Sequence, residues 1–149
     1  MDLDWFGVDK DGHIGHFTTA GFKHLPASIS GFSEDLKIVT NYFINDAPIR
    51  CGHEIDPDLA QEVDDWKGEE HEARYLEAFV SMGDRGLYSY DIEPYVVPGL
   101  AYFRVAVPRN PITLNELPEI VRGIVQRTTL DNYSFRMFSR IDYDATLRA

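Results

Sequence analysis

The sequence predicts an α+β fold in which a mainly antiparallel sheet of about five strands packs against three to four helices. Two β-hairpins and one further alternating stretch near the C-terminus predict the sheet. Apolar residues that recur at helical spacing in the segments between the strands predict the helices. A chain of 149 residues is the usual size of one domain, so residues 1–149 are expected to share a single core.

The first hairpin is predicted from residues 3–8 and 13–18, which flank the turn Asp9-Lys10-Asp11-Gly12. An Asp-Gly pair between alternating runs is a strong hairpin signal, because glycine accepts the positive φ of such a turn. The turn also resembles the start of a calcium loop. With its glycine at the sixth position, however, the first and twelfth ligands would be Gly7 and Thr18, so no calcium site is predicted.

The first helix is expected to begin at an N-cap on Ser33 and to end near residues 45–48, since Pro48 cannot continue a helix. Its apolar stripe is Leu36, Val39, Phe43 and Ile44.

A second helical region begins at Asp56-Pro57, an N-cap followed by proline at the first helical position. It extends to Met82 as two helices, or as one helix kinked near Gly68. Its outer face is the densest acidic surface in the sequence: Glu62, Asp64, Asp65, Glu69, Glu70, Glu72 and Glu77.

The central hairpin spans residues 85–107, with both arms alternating as half-buried strands do. Two prolines stiffen its loop, residues 93–101, so Tyr95 and Val97 are predicted to project as apolar contact residues. Two interpretations stay open. The loop either folds back on the core or contacts a second copy of the chain, which would make the protein a homodimer.

The last helix is predicted from an Asn115 cap, with Pro118 in its first turn. Its apolar stripe is Leu117, Ile120, Val121, Ile124 and Val125. Residues 133–141 alternate again and are expected to form a closing strand.

Charge and composition exclude several classes of partner. The formal net charge is −11, and residues 1–100 hold 20 acidic against 7 basic residues, so a nucleic-acid partner is not expected. No apolar window approaches membrane-spanning length, and the acidic start is unlike a signal peptide, so a cytoplasmic protein without membrane contact is expected. Cys51 is the only cysteine, which agrees with a reducing compartment.

Three stretches resemble small uncharacterised bacterial proteins: WFGVDKDGHIGHF at residues 5–17, RGLYSYD at 85–91, and VPRNPI at 107–112 followed by ELP at 116–118. Some small bacterial proteins of this kind act as immunity partners of secreted toxins. The resemblance therefore implies an immunity-type role, and it assigns no functional residue.

No catalytic residue and no cofactor are predicted. The sequence has no Gly-x-Ser-x-Gly elbow and no glycine-rich phosphate loop. The alternative to an interaction protein is an enzyme or a domain that binds a metal or small ligand. Its candidate ligands are His16, His24, Cys51 and His53.

The leading hypothesis is a non-enzymatic interaction domain whose acidic helical face binds a basic protein partner. Complementary charge chiefly raises the association rate and the specificity of such a complex. The predicted partner-binding residues are Glu62, Asp65, Glu69, Glu72, Tyr95 and Val97.

Overall fold

The structure is a computed structural model that describes residues 4–18, 26, 28–29, 31–59, 69–93 and 101–142. For residues 69–73 and 93 it describes the backbone alone.

Seven strands and four helical segments make up the described chain. The strands are β1 (Trp5–Asp9), β2 (Ile14–Phe17), β3 (His53–Ile55), β4 (Tyr88–Glu93), β5 (Ala101–Pro108), β6 (Thr129–Leu130) and β7 (Arg140–Asp142). The helices are α1 (Ser33–Asn41), α2 (Glu69–Asp84) and α3 (Glu119–Val125), and residues 57–59 are also helical. A π-helical turn, Tyr42–Asp46, extends α1, and a 3-10 turn, Leu114–Glu116, precedes α3.

The α+β class is confirmed, but the sheet is mixed and larger than predicted. Its strand order is β3-β5-β4-β2-β1-β6, with β7 also paired to β5. The two hairpins are antiparallel as expected, whereas β2 pairs with β4, and β1 with β6, in parallel. The additional strands are two or three residues long, which is too short for alternation to reveal them.

The first hairpin follows the predicted turn chemistry. Gly12 has φ +81°, a conformation that other residues adopt only with strain. The Asp9 Oδ1 atom accepts hydrogen bonds from the backbone N–H groups of Asp11 and His13, each at 2.9 Å. One buried carboxylate therefore fixes the turn that sets the register of β1 and β2.

Apolar side chains cover both faces of the sheet because successive residues of β1 point to opposite sides. On one side Phe6 and Val8 pack with residues of α1 and α3, including Val39 and Val121. On the other side Trp5 belongs to an aromatic cluster with Phe17, Tyr88, Tyr90, Tyr102 and Phe135. The β4 and β5 tyrosines, Tyr88, Tyr90 and Tyr102, are buried, while Phe103 is only half-buried.

Three details of the predicted helices and strands are wrong. Phe32, not Ser33, is the N-cap of α1, and it makes no side-chain cap. The helix expected from Asn115 is instead a 3-10 turn and a separate α3 that begins after Pro118, because proline lacks the N–H that a continuous helix needs. Ile120 is 69% exposed although its spacing matched the buried stripe.

The C-terminal strand is also shorter than predicted. Only Arg140–Asp142 pairs, with β5, whereas residues 135–137 form a turn. The Phe135 and Phe138 carbonyls accept hydrogen bonds from the Tyr90 hydroxyl, at 3.3 and 2.6 Å, instead of joining a sheet ladder. Side-chain donors from the sheet thus take the place of a partner strand.

Glu116 is expected to give the fold a pH-dependent contribution. The Thr113 backbone N–H donates to its carboxylate at 2.7 Å, and this bond, with Arg50 nearby, holds the pKa of Glu116 below its ordinary value. A lowered folded-state pKa stabilises the protein above the unfolded pKa, and the stabilisation disappears as pH falls through the folded pKa. Glu116→Gln should therefore lower the free energy of unfolding at neutral pH, and its difference from the wild type should vanish in acid.

Urea unfolding of Glu116→Gln and of the wild type, from neutral pH to below the folded-state pKa of Glu116, measures this difference in stability. Glu77→Gln, at an exposed position in α2, is the control and should stay within about 0.5 kcal/mol of the wild type. A pH-independent difference for Glu116→Gln would contradict the assignment.

Candidate functional site

A pocket of about 330 Å³ opens where β3, β5 and β7 meet. Two aspartates and two arginines line it together with Ser139 and two apolar side chains. The residues are Asp56, Asp58, Leu59, Phe103, Arg104, Ser139 and Arg140. The described lining is therefore formally neutral but places separated charges beside an apolar surface.

A buried ion pair forms the wall of the pocket. Arg104 Nε donates to Asp56 Oδ2 at 2.6 Å, and the two side chains are 11% and 1% exposed. Asp56 Oδ1 accepts the backbone N–H of Asp58 at 2.9 Å, which confirms the predicted cap before Pro57. Both carboxylate oxygens of Asp56 are thus bonded.

The rest of the Arg104 guanidinium fixes the segment that follows Tyr133. Its Nη1 donates to the carbonyls of Phe135 and Arg136, at 2.5 and 2.9 Å. Within the described residues Nη2 has no hydrogen-bond partner, and it is not sealed from solvent. Arg104 therefore presents the two N–H groups of one unpaired nitrogen, Nη2, from a side chain that three hydrogen bonds hold in place.

Tyr90, a buried residue of β4, also holds the segment that follows Tyr133 by hydrogen bonding. Its hydroxyl donates to the Phe138 carbonyl, and burial raises its pKa well above the ordinary value of a tyrosine. The phenol therefore stays protonated and keeps its role as donor. Beyond this anchor Met137 and Phe138 are 71% and 40% exposed, so the segment presents apolar surface beside the pocket.

A Ser-His-Asp chain runs from a half-buried aspartate into the core. His16 is joined by 2.7 Å hydrogen bonds to Ser89 through Nδ1 and to Asp4 through Nε2. A catalytic serine needs access to its substrate, yet Ser89 and His16 are both 0% exposed. In this structure the three residues satisfy one another as a polar chain that is buried at Ser89 and His16 and half-buried at Asp4.

A second histidine–aspartate pair, His53 and Asp84, lies where β3 begins. His53 Nδ1 is 2.7 Å from Asp84 Oδ1, and the exposed Cys51 thiol is 3.8 Å from the Asn110 side-chain nitrogen. Asp84 can orient His53 as a base. No short contact between Cys51 and His53 is found in the described residues.

Within the described residues, one group of three side chains has ligand atoms close enough to share a metal ion. Asp9, Asp11 and His13 offer atoms within 4.8 Å of one another. Asp9, however, already accepts three backbone N–H groups, those of Asp11, His13 and Phe135. A cation would compete with the bonds that form the hairpin.

The predicted site residues fall in different places. Of the alternative ligands, His16 is sealed in the core, while Cys51 and His53 lie at the surface near β3, and the structure does not gather these three around one point. Glu69 and Glu72 lie in the first turn of α2, where only the backbone is described. The predicted residues outside the described part are His24, Glu62, Asp65, Tyr95 and Val97.

No protein-family model, curated protein or solved structure matches this chain. The functional argument therefore depends on the geometry of the chain itself. None of the helices in the described residues has the length and apolar character needed to cross a lipid bilayer.

Sequence reasoning missed the ion pair and the pocket that it lines. The sequence identifies Asp56 only as a helix cap, because its partner lies 48 positions away. One signal was present, an arginine inside the otherwise uncharged strand AYFRVAVP. A charge in the middle of such a strand requires a partner or a functional role.

Proposed function

We propose that this chain is a non-enzymatic protein-interaction domain that binds a basic protein partner, with an immunity-type role as its specific form. The observation that carries the proposal is the charge distribution. Residues 1–100 contain 20 acidic and 7 basic residues, while residues 101–149 contain 5 and 7. An excess of negative charge attracts a basic partner over a distance of about 10 Å at moderate salt.

Three acidic residues of the segment 1–100 are exposed on neighbouring elements. Glu54 of β3, Asp58 of the helical segment that follows and Glu77 of α2 are all exposed, and α2 packs on β3 and β5. Glu69 and Glu72 belong to the same helix. The proposed binding surface is the acidic face: α2 and the residues that precede it, with Glu62, Asp65, Glu69 and Glu72 as its contact residues.

The described polar clusters favour binding over catalysis. The Ser89 hydroxyl is buried, so the Asp4-His16-Ser89 chain gives no reachable nucleophile. His53 and Asp84 are accessible, but a base alone does not identify a reaction. A binding role needs none of these groups to react.

The test compares two variants that each lose four negative charges. One replaces Glu62, Asp65, Glu69 and Glu72 of the acidic face by Gln or Asn. The matched control makes the same change at four exposed acids elsewhere: Glu34, Glu119, Asp131 and Asp142. The basic partner is captured from the native host's lysate with the wild-type protein, and its association rate constant is then measured with the wild type and with both variants.

We expect the acidic-face variant to associate with its basic partner roughly tenfold more slowly, while the control stays close to the wild type. Circular dichroism of both variants first establishes that they are folded. Equal losses in the two variants would show that net charge alone is responsible. Unchanged binding in the acidic-face variant would exclude this surface.

A further inference from the structure

We propose that the pocket beside the Asp56–Arg104 ion pair binds a free amino acid with an apolar side chain, in its zwitterionic form. This site is separate from the acidic face and does not depend on the proposed function. Its donor, its acceptor and its apolar surface each match one part of such a ligand.

Arg104 supplies the donor for the ligand carboxylate. Two of its three guanidinium nitrogens are held by Asp56 and by the carbonyls of Phe135 and Arg136. Within the described part of the chain, Nη2 alone remains for a ligand. Because the side chain is already fixed, binding a carboxylate costs little further conformational entropy.

Asp58 supplies the acceptor for the ligand ammonium group. It lines the pocket and is exposed, and its carboxylate has no hydrogen-bond partner within the residues described. Asp56 does not compete for the ligand, because both of its oxygens are bonded. The two aspartates therefore have different roles, one structural and one directed to the ligand.

The charge balance and the size of the pocket narrow the ligand class. Among the described lining residues two arginines stand beside two aspartates, so this lining suits neither a polyanion nor a polycation. Leu59 and Phe103 give the ligand side chain an apolar contact. The volume of about 330 Å³ lies at the lower end of ligand pockets, which fits one amino acid rather than a nucleotide.

The experiment is an NMR titration of the full chain with L-phenylalanine as the probe. We expect saturable shifts of the backbone amide signals of Leu59, Phe103 and Ser139. N-acetyl-L-phenylalanine lacks the ammonium charge, and L-phenylalanine amide lacks the carboxylate. Each should bind roughly tenfold more weakly or worse, the loss expected for one charge-assisted hydrogen bond.

A pair of isosteric variants connects the binding to the pocket. Asp58→Asn should weaken L-phenylalanine binding roughly tenfold, whereas Asp131→Asn, at an exposed position in the turn after β6, should leave it unchanged. Because Asp58 donates its backbone N–H to Asp56, the substitution keeps the helix cap. Absence of saturable shifts, equal binding of the N-acetyl derivative, or unchanged binding to Asp58→Asn would each overturn the proposal.

Discussion

Replacing Arg104 by methionine is expected to lower the free energy of unfolding by about 3–5 kcal/mol. The substitution leaves the Asp56 carboxylate buried without its partner at 1% exposure. It also removes the donor that holds the carbonyls of Phe135 and Arg136 against the sheet. Urea denaturation of the variant and the wild type measures the difference.

The matched control is Arg140→Met, which removes the same charge from a side chain that is 51% exposed and should cost at most about 1 kcal/mol. Adding Asp56→Asn to Arg104→Met should restore part of the loss, because asparagine is neutral and still accepts the Asp58 N–H. If Arg104→Met were no more costly than Arg140→Met, the ion pair would not stabilise the fold.

Replacing Trp5 by alanine is expected to cost a similar amount, about 3–5 kcal/mol. Trp5 is 0% exposed and stacks on Phe17 with ring centroids 4.0 Å apart. Its indole N–H donates to the Tyr102 hydroxyl at 3.2 Å, so the truncation removes apolar contacts and leaves a buried hydroxyl without one of its partners. Thermal and urea unfolding both report the change.

Two further substitutions separate these contributions. Trp5→Phe keeps an aromatic ring beside Phe17 and should lose clearly less than Trp5→Ala. Met137→Ala, at a side chain that is 71% exposed, should change the stability by no more than about 0.5 kcal/mol. A Trp5→Ala variant that unfolds like Met137→Ala would place Trp5 outside the core.

Features that a few neighbouring residues determine could be predicted from the sequence. The Asp-Gly turn gave the first hairpin, and Asp56-Pro57 gave a helix cap that the structure contains. Both depend on the backbone preferences of adjacent residues. The parallel pairing of β2 with β4 joins segments more than 70 residues apart, and no local pattern encodes it.

The site was less predictable for the same reason. The partner of Asp56 is 48 positions away, and the Ser89 partner of His16 is 73 positions away, so neither bond has a sequence spacing that identifies it. Ile120 shows a related limit, because helical spacing identifies a stripe but not where its edge meets solvent. The net charge, in contrast, can be predicted from the sequence, because it is a sum over all residues and does not depend on which residues pair.

The association rate constant of the chain with its captured basic partner, measured by stopped-flow at increasing salt concentration, tests the proposed function most directly. If the acidic face guides the encounter, the wild-type rate should fall about tenfold or more as salt rises, while the Glu62, Asp65, Glu69 and Glu72 variant should be slow at low salt and nearly independent of it. A wild-type rate that does not change with salt would contradict the proposal.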